Sequence, residues 1–269
     1  MIKFSKYHGC GNSFIIIEYE EIKNSDVSKL ALAVCNRETG IGADGMIVVK
    51  QDPLEMIFYN QDGSTAPMCG NGIRCFSKYV RDKHYVKDKQ FVVLTGAGNL
   101  EINCIGEEYE IAMGIPNFDP SLLHLKKDVD LYSYPLLGYE LSSVFVGTIH
   151  TVVFVNALID VDVEALGKKI CNHELYKEKT NVNFVEVIDR QNIRVITYER
   201  GVGITKACGT GCCASFVFAN HFNKVDKCVN IHLEYGRLVI RYDNEQIMMK
   251  GPATFVAEGH YNIKEEQLC

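Results

Sequence analysis

The chain contains one sequence pattern twice, at a constant separation of 139 residues. Residues 59–72 read YNQDGSTAPMCGNG, and residues 198–211 read YERGVGITKACGTG. In each copy a tyrosine stands ten residues before a cysteine, Cys69 or Cys208, and the cysteine opens a C-G-x-G sequence. The repeat predicts a chain of two similar halves, each carrying one thiol in the same local structure.

Each copy follows an apolar, β-rich run, at 54–59 and at 193–198, and precedes a segment with helical character. The second of these helices, 212–222 (CCASFVFANHF), is apolar on nearly every side, so it must be surrounded by protein. Many short strands flank it, which implies a sheet curled around the helix. We therefore expect an α+β fold of two pseudo-symmetric domains, each a curved, mainly antiparallel sheet or barrel wrapped on a central helix.

The expected domain boundary lies in the segment 116–135, which has three prolines and mixed charge and is typical of a crossover. The first domain is expected to span 1–116 and the second 117–254. A C-terminal strand at about 255–269 is expected to return to the first domain.

Composition excludes several classes of function. The 269 residues carry a net charge of −6 and no run of lysine or arginine, which argues against a nucleic-acid surface. The N-terminus lacks the apolar stretch of a secretory signal. The most apolar segment, 144–161, is interrupted by polar residues and predicts two strands, so no membrane partner is expected.

Eleven cysteines, an odd number, in a chain of this length favour a reduced, cytoplasmic protein over a disulfide framework. Most of the cysteines outside the repeat stand in apolar contexts and are expected to be buried, namely Cys35, Cys104, Cys171 and Cys228. No C-x-x-C pair is present, so we expect no structural metal.

Both repeated cysteines are predicted at helix N-termini, where free amides and the helix dipole favour negative charge. Such a position lowers the pKa of a thiol, so we expect an accessible thiolate. The same amides can bind a carboxylate, because glycine lets the backbone approach closely. Two like acid–base groups suit stereoinversion at a carbon, with one removing a proton and the other supplying one. No pyridoxal phosphate lysine motif or nucleotide fingerprint is evident, so no cofactor is expected.

The motifs HGCGNSF, DGSTAPMCGNGIRC, TNVNF and YERGVGITKACGTG resemble those of the diaminopimelate epimerase family over nearly the whole chain. The resemblance implies a cofactor-independent, two-cysteine epimerase with its active site in a cleft between two domains. Its partner would be a small amino-acid substrate, and a homodimer is the assembly to be considered. The site residues that it implies are Cys69 and Cys208 for proton transfer, Gly70, Asn71, Gly209 and Thr210 for the substrate carboxylate, and Asn12, Asn60, Asn181, Glu199 and Arg200 for other substrate contacts.

One departure from the family pattern leaves the substrate open. Where members commonly read G-N-P-H, this chain has Gly147-Thr148-Ile149-His150, so a threonine replaces an asparagine that contacts the distal end of the substrate. Thr148 and His150 are expected to support the site. The leading hypothesis is epimerisation of LL- to meso-diaminopimelate, and the alternative is a racemase of another amino acid such as histidine. A ligand-binding or redox-sensing module is the competing interpretation from a different class.

Overall fold

The computed structural model describes residues 1–262 and divides into two compact units. The first unit contains Met1–Ile111 together with the chain from Gly251 onward, and the second contains Ala112–Lys250. Each unit is built mostly from strands, with few helices.

The secondary structure of both units consists of short strands and, in the main, short helices. The strands are β1 Ile2–Gly9, β2 Asn12–Glu18, β3 Gly45–Gln51, β4 Leu54–Asn60, β5 Thr65–Ala66, β6 Gln90–Thr95, β7 Gly98–Ile105, β8 Glu108–Gly114, β9 Tyr134–Leu136, β10 Tyr139–Val146, β11 Thr148–Val155, β12 Asn181–Asp189, β13 Asn192–Glu199, β14 Gly203–Thr205, β15 Cys228–Leu233, β16 Gly236–Asp243, β17 Gln246–Pro252 and β18 Thr254–Tyr261. The α-helices are α1 Tyr19–Ile22, α2 Val27–Cys35, α3 Gly70–Asp82, α4 Pro120–Leu123, α5 Val163–Cys171 and α6 Gly209–His221, and Leu158–Asp160 forms a 3₁₀ turn.

The two units share one strand order. In the first unit, neighbouring strands pair in the order β18, β1, β2, β3, β4, β6, β7 and β8. In the second the order is β9, β10, β11, β12, β13, β15, β16 and β17. The third and fourth strands of each series are parallel, as are the fifth and sixth, and each parallel pair is joined by a crossover that contains a helix. The predicted pseudo-symmetric α+β fold is confirmed.

Helices α3 and α6 are the central helices of their units. Helix α6 contacts β10 and β16, which stand near opposite ends of the second sheet, so the sheet curves around it. Ten of its residues are buried, and they occur on all sides, as the apolar segment predicted. Helix α3 contacts β1 to β4 and β18 in the same manner, and its buried residues include the guanidinium of Arg74.

Local sequence signals account for several boundaries of helices and strands, while the shortest strands were not predicted. The sequence offers Ser25 or Asp26 as the cap of α2, and the structure has Asp26, whose carboxylate accepts a hydrogen bond from Lys29 N (3.1 Å). Strands β5, β9 and β14 have only two or three residues, too few for a periodic pattern. Strand β18 pairs antiparallel with β1, and the part of the expected C-terminal strand at 263–269 lies outside the described residues.

Candidate active site

Both repeated cysteines are the N-cap residues of the central helices. Cys69 precedes α3 and Cys208 precedes α6, each with an extended backbone (φ −134° and −118°). Each sulfur accepts a hydrogen bond from the third helical amide, Gly72 N to Cys69 Sγ and Gly211 N to Cys208 Sγ, both at 3.4 Å. N-cap side chains satisfy one of the free amides of a helix start, and here a thiol sulfur does so. The prediction that a thiol opens each helix is confirmed.

The second glycine of each C-G-x-G lets its amide approach the sulfur. A Cβ at Gly72 would lie 3.2 Å from Cys69 Cβ. A Cβ at Gly211 would lie 3.2 Å from Cys208 Sγ and would overlap Asn183 Oδ1. A side chain is therefore excluded at Gly211 and would be tightly packed at Gly72, so the glycine in both copies favours close contact between a thiol and a helix amide.

The first amides of both helices form a local anion site. Gly70 and Asn71 begin α3, and Gly209 and Thr210 begin α6. Amides at the first helical positions have no partner within their own helix, and the helix dipole adds positive potential there. Each helix start, taken by itself, can therefore bind an anionic oxygen such as that of a carboxylate.

Other predicted residues stand at corresponding strand ends in the two units. In the first unit Asn12 begins β2 and Asn60 ends β4. In the second, Thr148 begins β11, Asn181 begins β12 and Glu199 ends β13. Because β2 and β3 are parallel and β4 runs antiparallel to β3, these ends meet at one sheet edge, and the same holds for β11, β12 and β13.

In the first unit, a fully buried arginine holds the residues around Cys69. Arg74 is 0% exposed and donates to Gly70 O (2.9 Å), Asn71 Oδ1 (2.9 Å) and Pro252 O (3.2 Å). Asn71 Nδ2 in turn donates to Asn12 Oδ1 (3.2 Å). The structure thus brings Asn12 and Asn71 together. Arg74 was not predicted as a site residue, although a charged residue on a buried helix was a signal that it needs partners.

Asn60 lies half-buried at the end of β4 and is held by the turn that follows. Its Nδ2 donates to Ser64 Oγ (3.0 Å), and this hydroxyl donates to Asp62 Oδ1 (2.6 Å). Hydrogen bonds within the turn that follows β4 therefore hold the Asn60 side chain in place.

In the second unit, three residues predicted for the substrate site contact one another. Arg200 Nη2 donates to Thr148 Oγ1 (3.0 Å), and Arg200 N donates to Asn181 Oδ1 (3.0 Å). Arg200 Nη1 donates to the carbonyl of Glu178 (3.1 Å), a residue that the sequence did not indicate. Asn181 Nδ2 donates to Ile149 O (3.1 Å), which fixes the amide that receives Arg200. The bonds of Arg200 to Thr148 and Glu178 leave its guanidinium anchored and only half-buried.

Similarity to known proteins extends over nearly the whole chain. The family model for diaminopimelate epimerase matches residues 4–118 and 142–256. A diaminopimelate epimerase of Alkaliphilus metalliredigens is 41% identical, with 97% of each chain covered. One from Clostridium perfringens is 39% identical, covering 97% of this chain and 99% of the relative.

The chain belongs to the diaminopimelate epimerase family. Solved structures with lower identity share its fold. A phenazine biosynthesis protein of the PhzF family from Bacillus anthracis has a TM-score of 0.71 at 14% identity, covering 97% of this chain and 99% of that one. A probable proline racemase from Agrobacterium radiobacter has a TM-score of 0.68 at 13% identity, covering 98% and 94%.

The sequence-based expectation of a lowered pKa is wrong for Cys208 in this member of the diaminopimelate epimerase family. Burial raises the pKa of its thiol well above the ordinary value, and the charge of Glu199 adds to the effect. Bonds from the Thr210 hydroxyl and the Gly211 amide act in the opposite direction but do not offset burial. The side chain is buried at 7% exposure, so its thiolate loses most of its hydration. Cys208 therefore keeps its proton at neutral pH in the free protein.

His150 is an interior residue of the second sheet. It lies on β11, between β10 and β12, and is 0% exposed. Its Nδ1 contacts Asn183 Nδ2 (3.2 Å), while Nε2 has no hydrogen-bond partner within residues 1–262. Burial, with a smaller contribution from Arg200, lowers the pKa of His150 to about 3, so the ring is neutral near pH 7.

The remaining cysteines are not uniformly buried. Cys35 and Cys171 are buried as expected, whereas Cys104 is partly buried and Cys228 is exposed at the start of β15. An apolar sequence context did not distinguish a strand end from a strand interior. Within residues 1–262, no three histidine, cysteine or acidic side chains gather as a metal site, and no helix is long and apolar enough to cross a membrane.

Removing the charge of Glu199 is expected to make Cys208 more reactive. In Glu199→Gln the pKa of Cys208 falls, because a nearby negative charge disfavours the thiolate. At fixed pH the thiolate fraction then rises, and alkylation of Cys208 by iodoacetamide should accelerate about 3- to 10-fold. Residue-resolved mass spectrometry at pH 7.5 measures this rate. Glu234→Gln removes an exposed carboxylate paired with Lys206 and should leave the rate unchanged; equal rates in Glu199→Gln and wild type would contradict the assignment.

Proposed function

We propose that this chain is a cofactor-independent diaminopimelate epimerase that interconverts the LL and meso forms through Cys69 and Cys208. One observation carries the proposal: two thiols occupy identical N-cap positions, each with a helix amide at 3.4 Å. Relatives about 40% identical over nearly their full length are named diaminopimelate epimerase, which supports the choice of substrate.

The proposed reaction is inversion of one α-carbon by two groups acting on its opposite faces. A thiolate accepts the α-proton, and the electron pair left on carbon delocalises into the neighbouring carboxylate. Amides of Gly70 and Asn71, and of Gly209 and Thr210, stabilise the charge that develops there. The second thiol then gives its proton to the other face. After turnover the two sulfurs have exchanged protonation states, so the reverse direction uses the same groups.

The environment of Cys208 indicates its protonation state before the first turnover. Cys208 is held as a neutral thiol by burial and by the charge of Glu199. We therefore assign proton donation to Cys208 and proton abstraction to Cys69 in the first turnover of the free enzyme. Substrate binding replaces water near both sulfurs and brings an ammonium group, which can lower the pKa of Cys208 for the return reaction.

Arg200 is proposed to bind the distal carboxylate of the substrate. A guanidinium has five N–H donors in a planar fork that matches a carboxylate. Its bonds to Thr148 and Glu178 use two of them, and the other three have no partner within residues 1–262. Asn12, Asn60 and Asn181 would supply further polar contacts. Glu199 would face an ammonium, with Thr205 Oγ1 donating to its Oε1.

The alternative of a racemase for another amino acid, such as histidine, rests on the Thr148-Ile149 sequence. Contacts around Arg200 favour the diamino diacid instead. Thr148 bonds to Arg200 and so keeps the group that would recognise a second carboxylate, which a monoamino acid with a neutral side chain does not need.

The function is tested by α-proton exchange. Reduced protein without added cofactor is placed in D₂O with LL-diaminopimelate or with a panel of L-amino acids including histidine, and the α-proton NMR signal is followed. We expect fast loss of the signal with LL-diaminopimelate and the appearance of the meso form. Exchange confined to another amino acid would replace the proposed substrate, and silence with every substrate would overturn the two-thiol mechanism.

A cytoplasmic setting is part of the proposal and is supported by the free state of the ten described cysteines. The homodimer stays a prediction from the sequence. Fractionation of cells and sedimentation of the purified enzyme test these two points separately.

A further inference from the structure

The anchoring of Arg200 differs from what the sequence motif led us to expect. Thr148 stands where family members commonly have an asparagine that contacts the distal end of the substrate. In this chain the Thr148 hydroxyl instead accepts a hydrogen bond from Arg200 Nη2 (3.0 Å). On the other side of the same guanidinium, Nη1 donates to the carbonyl of Glu178 (3.1 Å). Two fixed oxygens therefore hold the two ends of the fork.

Both oxygens are well restrained. Thr148 is β-branched and begins strand β11, so few rotamers are open to its hydroxyl. It is paired with Val146 across the tight turn at Gly147 that joins β10 and β11. The second oxygen belongs to the backbone of Glu178, whose exposed carboxylate lies 3.8 Å from His124 Nε2. The neighbouring amide, Lys177 N, donates to His124 O (3.1 Å), so the backbone beside Glu178 is also bonded.

Five buried hydroxyl groups form a hydrogen-bonded cluster that includes residues on both sides of Glu178 in the sequence. We refer to Tyr134, Ser143, Thr151, Tyr176 and Thr180 as the hydroxyl cluster. Tyr176 and Thr180 flank Glu178 in sequence, and all five residues are less than 5% exposed.

The cluster is continuous from strand β9 to the start of β12. Tyr134 OH bonds to Ser143 Oγ and to Tyr176 OH, both at 2.6 Å. Thr151 Oγ1 contacts Tyr176 OH (3.2 Å) and Thr180 Oγ1 (2.9 Å). Ser143 Oγ also bonds to Thr151 Oγ1 (3.0 Å). Buried polar networks of this kind hold a backbone in one arrangement, because removing any member takes hydrogen bonds away from its buried neighbours.

We propose that Thr148, together with the hydroxyl cluster acting through the Glu178 carbonyl, positions Arg200 and so sets the selectivity of this enzyme for substrates with a second carboxylate. The inference rests on the proposed function, since it concerns the same substrate. Thr148 is a positioning residue that acts through Arg200. This indirect role stands in place of the direct substrate contact made by the asparagine that is common at this position.

The test uses variants of Thr148 with two substrates. L-Lysine is the compound that remains when hydrogen replaces the distal carboxylate of LL-diaminopimelate, so it reports the reacting end alone. In Thr148→Val the hydroxyl is lost with little change of shape, and KM for LL-diaminopimelate should rise about 10-fold, because a hydrogen bond to a charged group is removed. Its kcat should stay within about 2-fold. Any slow α-proton exchange of L-lysine should be unchanged, and Thr148→Ser should restore KM.

A second pair of variants tests the cluster. Tyr176→Phe removes the central hydroxyl and should raise KM for LL-diaminopimelate in the same direction as Thr148→Val. Tyr139→Phe is the matched control, since its hydroxyl has no hydrogen-bond partner in the described part of the chain and its ring packs on the same core. Thermal unfolding of all variants separates selectivity from loss of fold.

The outcomes are distinct. If wild type epimerises LL-diaminopimelate and Thr148→Val has unchanged KM, this inference is overturned while the proposed function stands. Equal losses with diaminopimelate and lysine, or a fall in kcat without a rise in KM, would also overturn it. Absence of diaminopimelate turnover by wild type itself would overturn the proposed function, and the inference with it.

Discussion

Replacing either thiol by a hydroxyl, in Cys69→Ser or Cys208→Ser, is expected to lower epimerisation of LL-diaminopimelate by about 10²- to 10⁴-fold. A serine hydroxyl is a far weaker acid than a thiol, so it neither forms the base nor returns a proton at a matched rate. The fold should survive, because serine is itself a preferred N-cap and can accept the Gly72 or Gly211 amide. Circular dichroism checks that the helix content is retained, and urea unfolding checks the free energy of unfolding.

The exposed thiol of Cys228 provides the control for this experiment. Cys228→Ser should retain wild-type kcat and KM, since the residue is exposed at the start of β15 and belongs to neither C-G-x-G sequence. The double variant Cys69→Ser/Cys208→Ser should be about as inactive as either single variant, because the two groups act as a unit. A single variant with near wild-type turnover would contradict the two-thiol mechanism. If the cysteine variants retain ligand affinity and the wild-type protein shows no turnover, the ligand-binding or redox-sensing module is favoured instead.

Arg74→Met is expected to destabilise the protein by about 3 kcal/mol or more, because it removes hydrogen bonds and leaves buried acceptors without donors. The wild-type guanidinium is 0% exposed and serves Gly70 O, Asn71 Oδ1 and Pro252 O at once. Its loss also frees the Asn71 side chain that donates to Asn12. Urea denaturation measures the free energy of unfolding.

The same helix supplies the control for Arg74. Arg81 is also on α3, but it is only partly buried and donates to Asp88 O (3.1 Å) at the protein surface. Arg81→Met should cost less than about 1 kcal/mol. Arg74→Lys keeps the charge but cannot span three acceptors, so its unfolding free energy should fall between wild type and Arg74→Met. Equal stabilities for Arg74→Met and Arg81→Met would show that the buried network contributes little.

Local sequence was sufficient for the elements whose signals are short-range. The sequence indicates a short helix near 163–171, where α5 lies, and the apolar composition of α6 predicted its burial. The repeat predicted equivalent thiols, and the two N-cap geometries agree. Each of these features depends on residues within about one turn of helix or one strand, where propensity and capping act.

Features that depend on distant partners were not accessible in this way. Arg200 and Thr148 are 52 residues apart, and no pattern in either segment indicates that they bond. The acceptor on Glu178 is its backbone carbonyl, which every residue type has, so the residue type at position 178 does not indicate this bond. Arg74 was noted only as a charge in need of partners, and the structure supplied them from its own helix start and from Pro252, which is 178 residues away.

By itself the sequence determined that this protein has two equivalent halves, that each presents a cysteine at the start of a central helix, and that the chemistry is that of the diaminopimelate epimerase family. The first two conclusions rest on residue type, spacing and local propensity, and the third rests on the resemblance of the motifs to that family. Tertiary structure alone decided that the pKa of Cys208 is raised and that Thr148 holds Arg200. The reason is that desolvation and side-chain pairing depend on which distant strands bury a group, and burial exists only once the chain has folded.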